Sequence, residues 1–180
     1  MNTLKTIAFA AFAIFLFSNA TCNKKIKLVR TIDGGTITFT ALPQAAGTFD
    51  FNQSLKFDME AELKKFDIAM VDLTQVVPES ATITIEDSTA TPVTFDIVDY
   101  VNLELGNSTV ANKRAVFKDP VPHTGLTTIT PDVDPTFDVL ALVQANDVNY
   151  HFTGKLNKAL DHQIKLKFAI KWKVTAELAP

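Results

Sequence analysis

The C-terminal segment Ile164–Leu178, which reads IKLKFAIKWKVTAEL, has the clearest structural pattern of the chain. Its even-numbered positions are all apolar, and its odd-numbered positions, apart from Ala169, are Lys, Thr or Glu. Because side chains on a strand alternate between two faces, the segment predicts a β-strand with one buried and one solvated face. At about 3.3 Å per residue it would extend over about 50 Å, either as one long strand or as one bent by a bulge. Its apolar face requires a second layer to cover it.

Further strands are predicted upstream, separated by turn residues. Asp33-Gly34-Gly35 is a turn signal between Ile26–Ile32 and Thr36–Leu42, which predicts a hairpin. Pro78-Glu79-Ser80 predicts a second turn. Alternating or β-branched runs predict the remaining strands at Phe49–Met59, Ile68–Val77, Ala81–Glu86, Val93–Leu105, Val110–Phe117 and Val148–Leu156.

Two short segments have a helical pattern instead. The first covers about residues 59–66, where Asp58 is positioned to cap the helix and the charges follow its dipole. The same residues also alternate well enough for a strand. The second is Pro135–Gln144, with Asp134 as the predicted cap and Asn146 as the stop. Between Lys118 and Pro135 the chain is rich in Pro, Asp and Thr, which predicts a long loop.

These elements predict an all-β fold. Eight or nine strands with mostly short connections are typical of an antiparallel β-sandwich, of jelly-roll or immunoglobulin-like type, with two short helices at its ends or edges. The chain of 180 residues suffices for one domain, which we place at residues 31–180. The net charge of −3 argues against nucleic acid as a partner.

The N-terminus predicts export. Lys5 precedes an unbroken apolar run of eleven residues, Ile7–Phe17, which is too short to span a membrane and matches the core of a secretory signal peptide. Residues 1–21 are therefore assigned to a signal peptide. Ser18-Asn19-Ala20 would also serve as an ordinary cleavage site, so plain secretion is the alternative to anchoring.

Cys22, the single cysteine of the chain, follows this signal directly. Exported cysteines normally pair, so a lone one calls for another explanation. The segment 1–22 resembles the signals of bacterial lipoproteins, in which such a cysteine becomes the lipid-modified first residue. Asn19 and Thr21 depart from the strict motif, and relaxed motifs of this kind are similar to those of the Bacteroidota. The resemblance implies lipidation at Cys22.

Residues 22–30 are assigned to the lipidated cysteine and a basic tether. Lys24, Lys25 and Lys27 stand where surface-exported lipoproteins of the Bacteroidota are acidic. This difference favours an outer-membrane anchor that faces the periplasm. The membrane, reached through the lipid, is then the first expected partner.

The sequence predicts no catalytic, metal or cofactor-binding residues. His123, His151 and His162 are too far apart in sequence for a zinc motif, and His151 has the polar parity of its strand. Asp132, Asp134 and Asp138 form an acidic group, but their spacing fails the calcium-loop pattern, and helix capping explains the last two. There is no nucleophile elbow and no phosphate-binding loop, although paired carboxylates of a glycosidase have no linear signature.

Aromatic platforms for sugars are also not indicated. Trp172 and Tyr150 have the apolar parity of their strands, which predicts burial. The lysines of Ile164–Leu178 fit a solvated face, or protection of a sheet edge against aggregation. We therefore expect a non-enzymatic, lipid-anchored envelope protein that binds or assembles with an envelope partner. The alternative is a small-molecule or glycan-binding receptor domain accessory to a transporter.

Overall fold

The structure is a computed structural model that describes residues 25–56 and 59–179. Its strands are β1 (Ile26–Ala41), β2 (Gly47–Leu55), β3 (Leu73–Glu86), β4 (Val98–Gly106), β5 (Lys113–Lys118), β6 (Thr128–Ile129), β7 (Asp132–Val133), β8 (Val148–Leu156) and β9 (Ile164–Leu178). The helices are α1 (Glu60–Lys64) and α2 (Leu140–Ala145), with 3-10 turns at Met70–Asp72 and Phe95–Ile97. The predicted all-β sandwich with two short helices is confirmed.

The strands form two antiparallel sheets. Sheet one has the order β1-β9-β3-β6 and sheet two the order β2-β8-β4-β5-β7. Pairs β4/β5, β3/β6, β2/β8 and β1/β9 nest inside one another along the chain. The chain is therefore one long hairpin rolled into two layers, which is the jelly-roll arrangement, and β7 is an additional short edge strand. In an immunoglobulin-like sandwich, by contrast, the first two strands share a sheet.

Strand β9 occupies the predicted segment Ile164–Leu178 and lies between β1 and β3. Its apolar face is buried as predicted: Phe168 and Val174 have no exposed surface and Trp172 is 1% exposed. Across the core, Phe39 and Phe168 of sheet one contact aromatic rings of sheet two. The Phe152 and Phe168 centroids are 4.5 Å apart, edge to face. Such edge-to-face contacts are favourable for aromatic rings, so this cluster joins the two layers.

The hairpin predicted at Asp33-Gly34-Gly35 is wrong. Both halves of the predicted hairpin belong to β1, and both pair with β9, with a register shift between Asp33 and Thr36. The turn signal instead forms a bulge, in which Gly35 adopts a φ of +76°. Gly34 faces the indole, since a Cβ there would lie 2.0 Å from Trp172 Nε1. Glycine is thus required by the neighbouring tryptophan and not by a reversal of the chain.

The turn predicted at Pro78–Ser80 is wrong in the same way. Strand β3 runs through it, with a register shift opposite Trp172 and Lys171 of β9. Proline has no N–H for the ladder, and a bulge is a position that tolerates it. Both neighbours of β9 therefore have a bulge at the same position along it, near Lys171.

Strand β1 begins earlier than the domain boundary that was predicted. Ile26–Arg30 pair with Val174–Leu178, so these residues are part of the sheet and not of a tether. Within the predicted loop 118–135, the structure adds the two-residue strands β6 and β7.

The two predicted helices are present with different bounds. Helix α1 lies inside the predicted 59–66 segment, and the proposed cap Asp58 is outside the described residues. Helix α2 begins at Leu140, five residues later than predicted, and ends at Asn146 as predicted, with a φ of 49°. Asp134 is not its cap, because its Oδ1 accepts the N–H of Thr136 in a separate turn.

Candidate functional site

The two ends of the sandwich are built from different parts of the chain. Loops 42–46, 87–97, 119–127 and 157–163 gather at one end, which we call the loop end. The opposite end, called the terminal end, holds α1, α2, the start of β1 and the finish of β9, where Ile26 pairs with Leu178. The histidines His123 and His162 and an open cleft are at the loop end.

The cleft lies where β3 ends and β9 begins. It has a volume of about 630 Å³. Its lining is Ile85, Glu86, Asp87, Ser88, Pro92, Thr127, Gln163, Ile164 and Lys165. Hydroxyl, amide and charged groups converge there beside two apolar side chains of the strand ends. A cleft of this size can hold a polar small molecule or a sugar.

One wall of the cleft is fixed by a histidine between two carboxylates. His162 Nε2 lies 2.8 Å from Asp87 Oδ2, and His162 Nδ1 contacts Asp161. The Asp87 side chain is only 2% exposed. Since both ring nitrogens face acceptors, the arrangement favours the doubly protonated imidazolium. It links loop 87–97 to loop 157–163.

The pKa values in this pair follow from those contacts. The N–H of Val93 lowers the pKa of Asp87 most, burial opposes it, and the N–H of Thr89 and the His162 ring lower it further. The hydrogen bond to Asp87 raises the pKa of His162, with a second contribution from Asp161. Asp87 is therefore an ionised, largely buried anchor of its loop, and not a proton donor near neutral pH.

A second polar network lies at the same end of sheet two. Lys155 Nζ is 3.0 Å from Asp99 Oδ2, and Asn157 Nδ2 donates to Asp99 Oδ1 at 3.0 Å. These contacts lower the pKa of Asp99, that from Asn157 most. His123 Nε2 lies 3.1 Å from the carbonyl of Val98. The network ties loop 119–127 to the ends of β4 and β8.

The third histidine lies away from the loop end. His151 is on the outer face of sheet two, with Nε2 3.1 Å from Asp50 and Nδ1 3.2 Å from Glu104. Burial acts to lower the pKa of His151, but the two carboxylates outweigh it and raise that pKa. The prediction that His151 lies on the polar face of its strand is confirmed. Its partners Asp50 and Glu104 belong to neighbouring strands, so the sequence of one strand could not predict them.

The acidic group Asp132, Asp134 and Asp138 has separate local roles. Asp132 pairs with Lys118 at 3.3 Å, and Asp138 Oδ1 accepts the N–H of Val76 and of Leu140. The Thr136 hydroxyl, donating to Asp134, lowers the pKa of Asp134. In residues 25–56 and 59–179, no three His, Cys, Asp or Glu side chains are grouped so as to hold a metal ion.

The two aromatic residues considered for sugar binding are buried, and most of the β9 lysines are exposed. Tyr150 and Trp172 are 2% and 1% exposed, so their predicted burial is confirmed. Lys165, Lys171 and Lys173 are exposed on the outer face of β9, and Lys167 pairs with Glu86. Because β9 lies inside its sheet, protection of an edge does not explain this row.

The predicted lipidation residue, Cys22, lies outside the described residues. Among those that are described, no helix is both long and apolar enough to cross a membrane.

Comparison with known proteins gives a limited result. No protein-family model matches the chain, and no curated protein matches it. Among solved structures, it is similar to a chain of Desmodium yellow mottle tymovirus, at 12% identity over 88% of this chain and 91% of that one, with a TM-score of 0.27. So distant a likeness carries no argument, and the jelly-roll assignment rests on the strand pairing of this chain alone.

Proposed function

We propose that this protein is a lipid-anchored component of the cell envelope, attached to the outer membrane through Cys22 and facing the periplasm. Its jelly-roll domain acts as a non-enzymatic binding or assembly module for an envelope partner. Two observations support the proposal: the sequence has an export signal followed by a lone cysteine, and the domain begins a few residues after that cysteine.

The observation that carries the proposal is the place of the first strand. Cys22 precedes Ile26 by four residues, and Ile26 lies at the terminal end beside Leu178. An anchor at Cys22 would therefore hold the terminal end at the membrane. The loop end would then be about 50 Å away, the length of a strand such as β9, and free to meet a partner.

Fractionation of cells tests the anchor. Cys22→Ala should move the protein from the membrane fraction to the soluble fraction, because lipid attachment needs the thiol. Asn23→Ala, the neighbouring substitution, should leave it with the membranes. If Cys22→Ala fractionates like the wild type, the lipoprotein proposal is wrong.

The cleft at the loop end favours a second candidate function. A receptor domain that delivers a small molecule or glycan to a transporter would need a concave site with convergent polar groups. Glu86, Ser88 and Gln163 supply such groups. A panel of mono- and oligosaccharides should then raise the melting temperature, and Gln163→Trp, which fills the cleft, should abolish that rise. No shift with any sugar would argue against a glycan receptor.

A further inference from the structure

We infer that the terminal end is itself a membrane-docking surface, so that the domain rests on the lipid bilayer instead of swinging on its anchor. This inference rests on the proposed lipidation of Cys22 and adds an orientation to it. The surface, called the docking surface below, is formed by Ile26, Val29, Phe66 and Val71.

The first argument is where the exposed apolar side chains are. Ile26 is 57% exposed, Val29 41%, Phe66 38% and Val71 88%. Exposed apolar residues scattered singly need no explanation, whereas a group at one end of a domain does. In the described chain, the only other large apolar side chains so exposed are Leu42 and Leu126, which belong to the loop end.

The second argument is that the fold puts these four residues at the same end of the sandwich, with Ile26 and Val29 on the two faces of β1. Ile26 pairs with Leu178 on one side of β9. On the other side Leu73 pairs with Ala176, which puts the 3-10 turn containing Val71 beside the finish of the same strand. Adjacent strands are about 4.8 Å apart, so the starts of β1 and β3 lie about 10 Å apart on the two sides of β9. Phe66 lies under Arg30, with the guanidinium 5.9 Å from the ring centroid.

The third argument is the length of chain between this surface and the expected lipid. Three residues lie between Cys22 and Ile26, and the four steps from one Cα to the next span at most about 14 Å when fully extended. A lipid on Cys22 would thus hold the docking surface within reach of the headgroup layer at all times. Apolar side chains held there gain by entering the interface, where amphipathic segments bury their apolar face about 5–10 Å deep.

The charges of the same end are compatible with a lipid surface. Three of its carboxylates are in ion pairs: Glu60 with Lys64 at 2.9 Å, Glu62 with Lys65 at 2.6 Å, and Glu177 with Lys25 at 3.0 Å. Asp72 accepts the N–H of Ala69, and Asp67 is exposed beside Phe66. Lys27, between Ile26 and Val29 on β1, and Arg30, which follows Val29, are exposed. Long basic side chains can extend to headgroup phosphates while their aliphatic stems remain near the acyl chains.

Depth-dependent fluorescence quenching tests the inference on the mature, lipidated full chain. Lipidation consumes the Cys22 thiol, so Val71→Cys supplies a single reactive site for a fluorophore. The protein is reconstituted into vesicles of phosphatidylethanolamine and phosphatidylglycerol at 3:1 that contain a lipid with a nitroxide on its upper acyl chain. We expect loss of most of the Val71→Cys fluorescence. The matched control, a label on exposed Leu126→Cys at the loop end, should lose none.

Two further variants separate docking from anchoring. Ile26→Asp with Val29→Asp should restore fluorescence at the Val71→Cys label while the protein stays with the vesicles, because the anchor is intact and the apolar surface is not. Leu42→Asp should have no effect. Equal quenching at Val71→Cys and Leu126→Cys, or no quenching of a vesicle-bound protein, would overturn the docking surface alone. A protein that does not bind vesicles would overturn the lipid anchor as well.

Discussion

Trp172 is the residue on which the strand parity can be tested. Its side chain is 1% exposed, and the neighbouring strands β1 and β3 each have a bulge beside it. The adjacent Lys171 is exposed on the opposite face of β9. Trp172→Ala should lower the free energy of unfolding by about 3–5 kcal/mol, the usual cost of truncating a large buried aromatic side chain. Lys171→Ala should lower it by less than about 0.5 kcal/mol.

Urea denaturation measures both variants, and fluorescence of this single tryptophan provides a second readout. The emission of the native protein should be blue-shifted and poorly quenched by iodide. Ready quenching, together with an unchanged stability of Trp172→Ala, would mean that the faces of β9 are inverted. A one-residue shift in register exchanges every side chain between the two faces, so the contrast between neighbours is what matters.

His162 should make the stability of the loop end depend on pH. Because its pKa is raised in the folded protein, its contribution is fully present below the unfolded pKa of about 6.5 and is lost as the pH rises through the folded pKa. His162→Gln removes the charge but retains a hydrogen-bonding side chain. The variant should therefore melt below the wild type at about pH 5.5, and the two should converge as the pH rises past the folded pKa of His162.

The comparison is made by differential scanning calorimetry across that range. His151 has the same direction of shift, but it is present in both proteins and cancels in the difference. A difference in melting temperature that stays constant with pH would show that the imidazolium makes no net contribution to stability.

At the scale of elements, the bulge in β1 exists because the central strand carries a tryptophan. Gly34→Ala would place a methyl group 2.0 Å from Trp172 Nε1 and 2.8 Å from the carbonyl of Ile170. Such overpacking should cost about 1–3 kcal/mol. Gly35→Ala meets no neighbour but must hold a φ of +76°, so it should cost about 1–2 kcal/mol through its backbone alone.

A double-mutant cycle distinguishes these two causes. Trp172→Phe removes the part of the ring that faces Gly34, so its effect should be non-additive with Gly34→Ala and additive with Gly35→Ala. Equal coupling of both glycines to Trp172 would contradict the assignment of the clash to Gly34.

Helix α2 shows how an element boundary depends on a distant strand. Asp134-Pro135 is a sound local start signal, yet the helix begins at Leu140. The N–H of Val139 donates to Val76 of β3, and Asp138 accepts the N–H of the same Val76. Residues 135–139 are thus held in a non-helical path by contacts with a strand some sixty residues earlier, and local capping preference is weaker than that packing.

At the scale of the molecule, the nested pairing of strands produces the two distinct ends. The first and last strands pair along their length, so the chain enters and leaves the sandwich at the terminal end. The loop end is therefore opposite, and it holds His123, His162 and the cleft. With an anchor before β1, this polarity separates the proposed attachment to the membrane from the proposed binding of a partner or ligand.

Features that depend on a single segment of the chain could be predicted from the amino-acid sequence. The period of two in Ile164–Leu178 fixed its bounds, its buried face and the burial of Trp172, because alternation is a property of a single strand. The same reasoning predicted an all-β sandwich and two short helices. It could not choose between a jelly roll and an immunoglobulin-like fold, since that depends on which distant strands pair.

Features that depend on several distant segments became visible only in the folded chain. Glycine and proline disfavour a regular strand whether the chain reverses or bulges, so the sequence predicted turns at Gly34 and Pro78. In the folded chain Gly34 lies in a bulge against the Trp172 ring, and Pro78 pairs with Trp172 across the sheet. His151 meets Glu104 and Asp50 from 47 and 101 positions away in the chain, and His162 meets Asp87 from 75 positions away. Hydrogen bonds and ion pairs act over a few ångströms in space, and a linear sequence does not contain those distances until the sheets have formed.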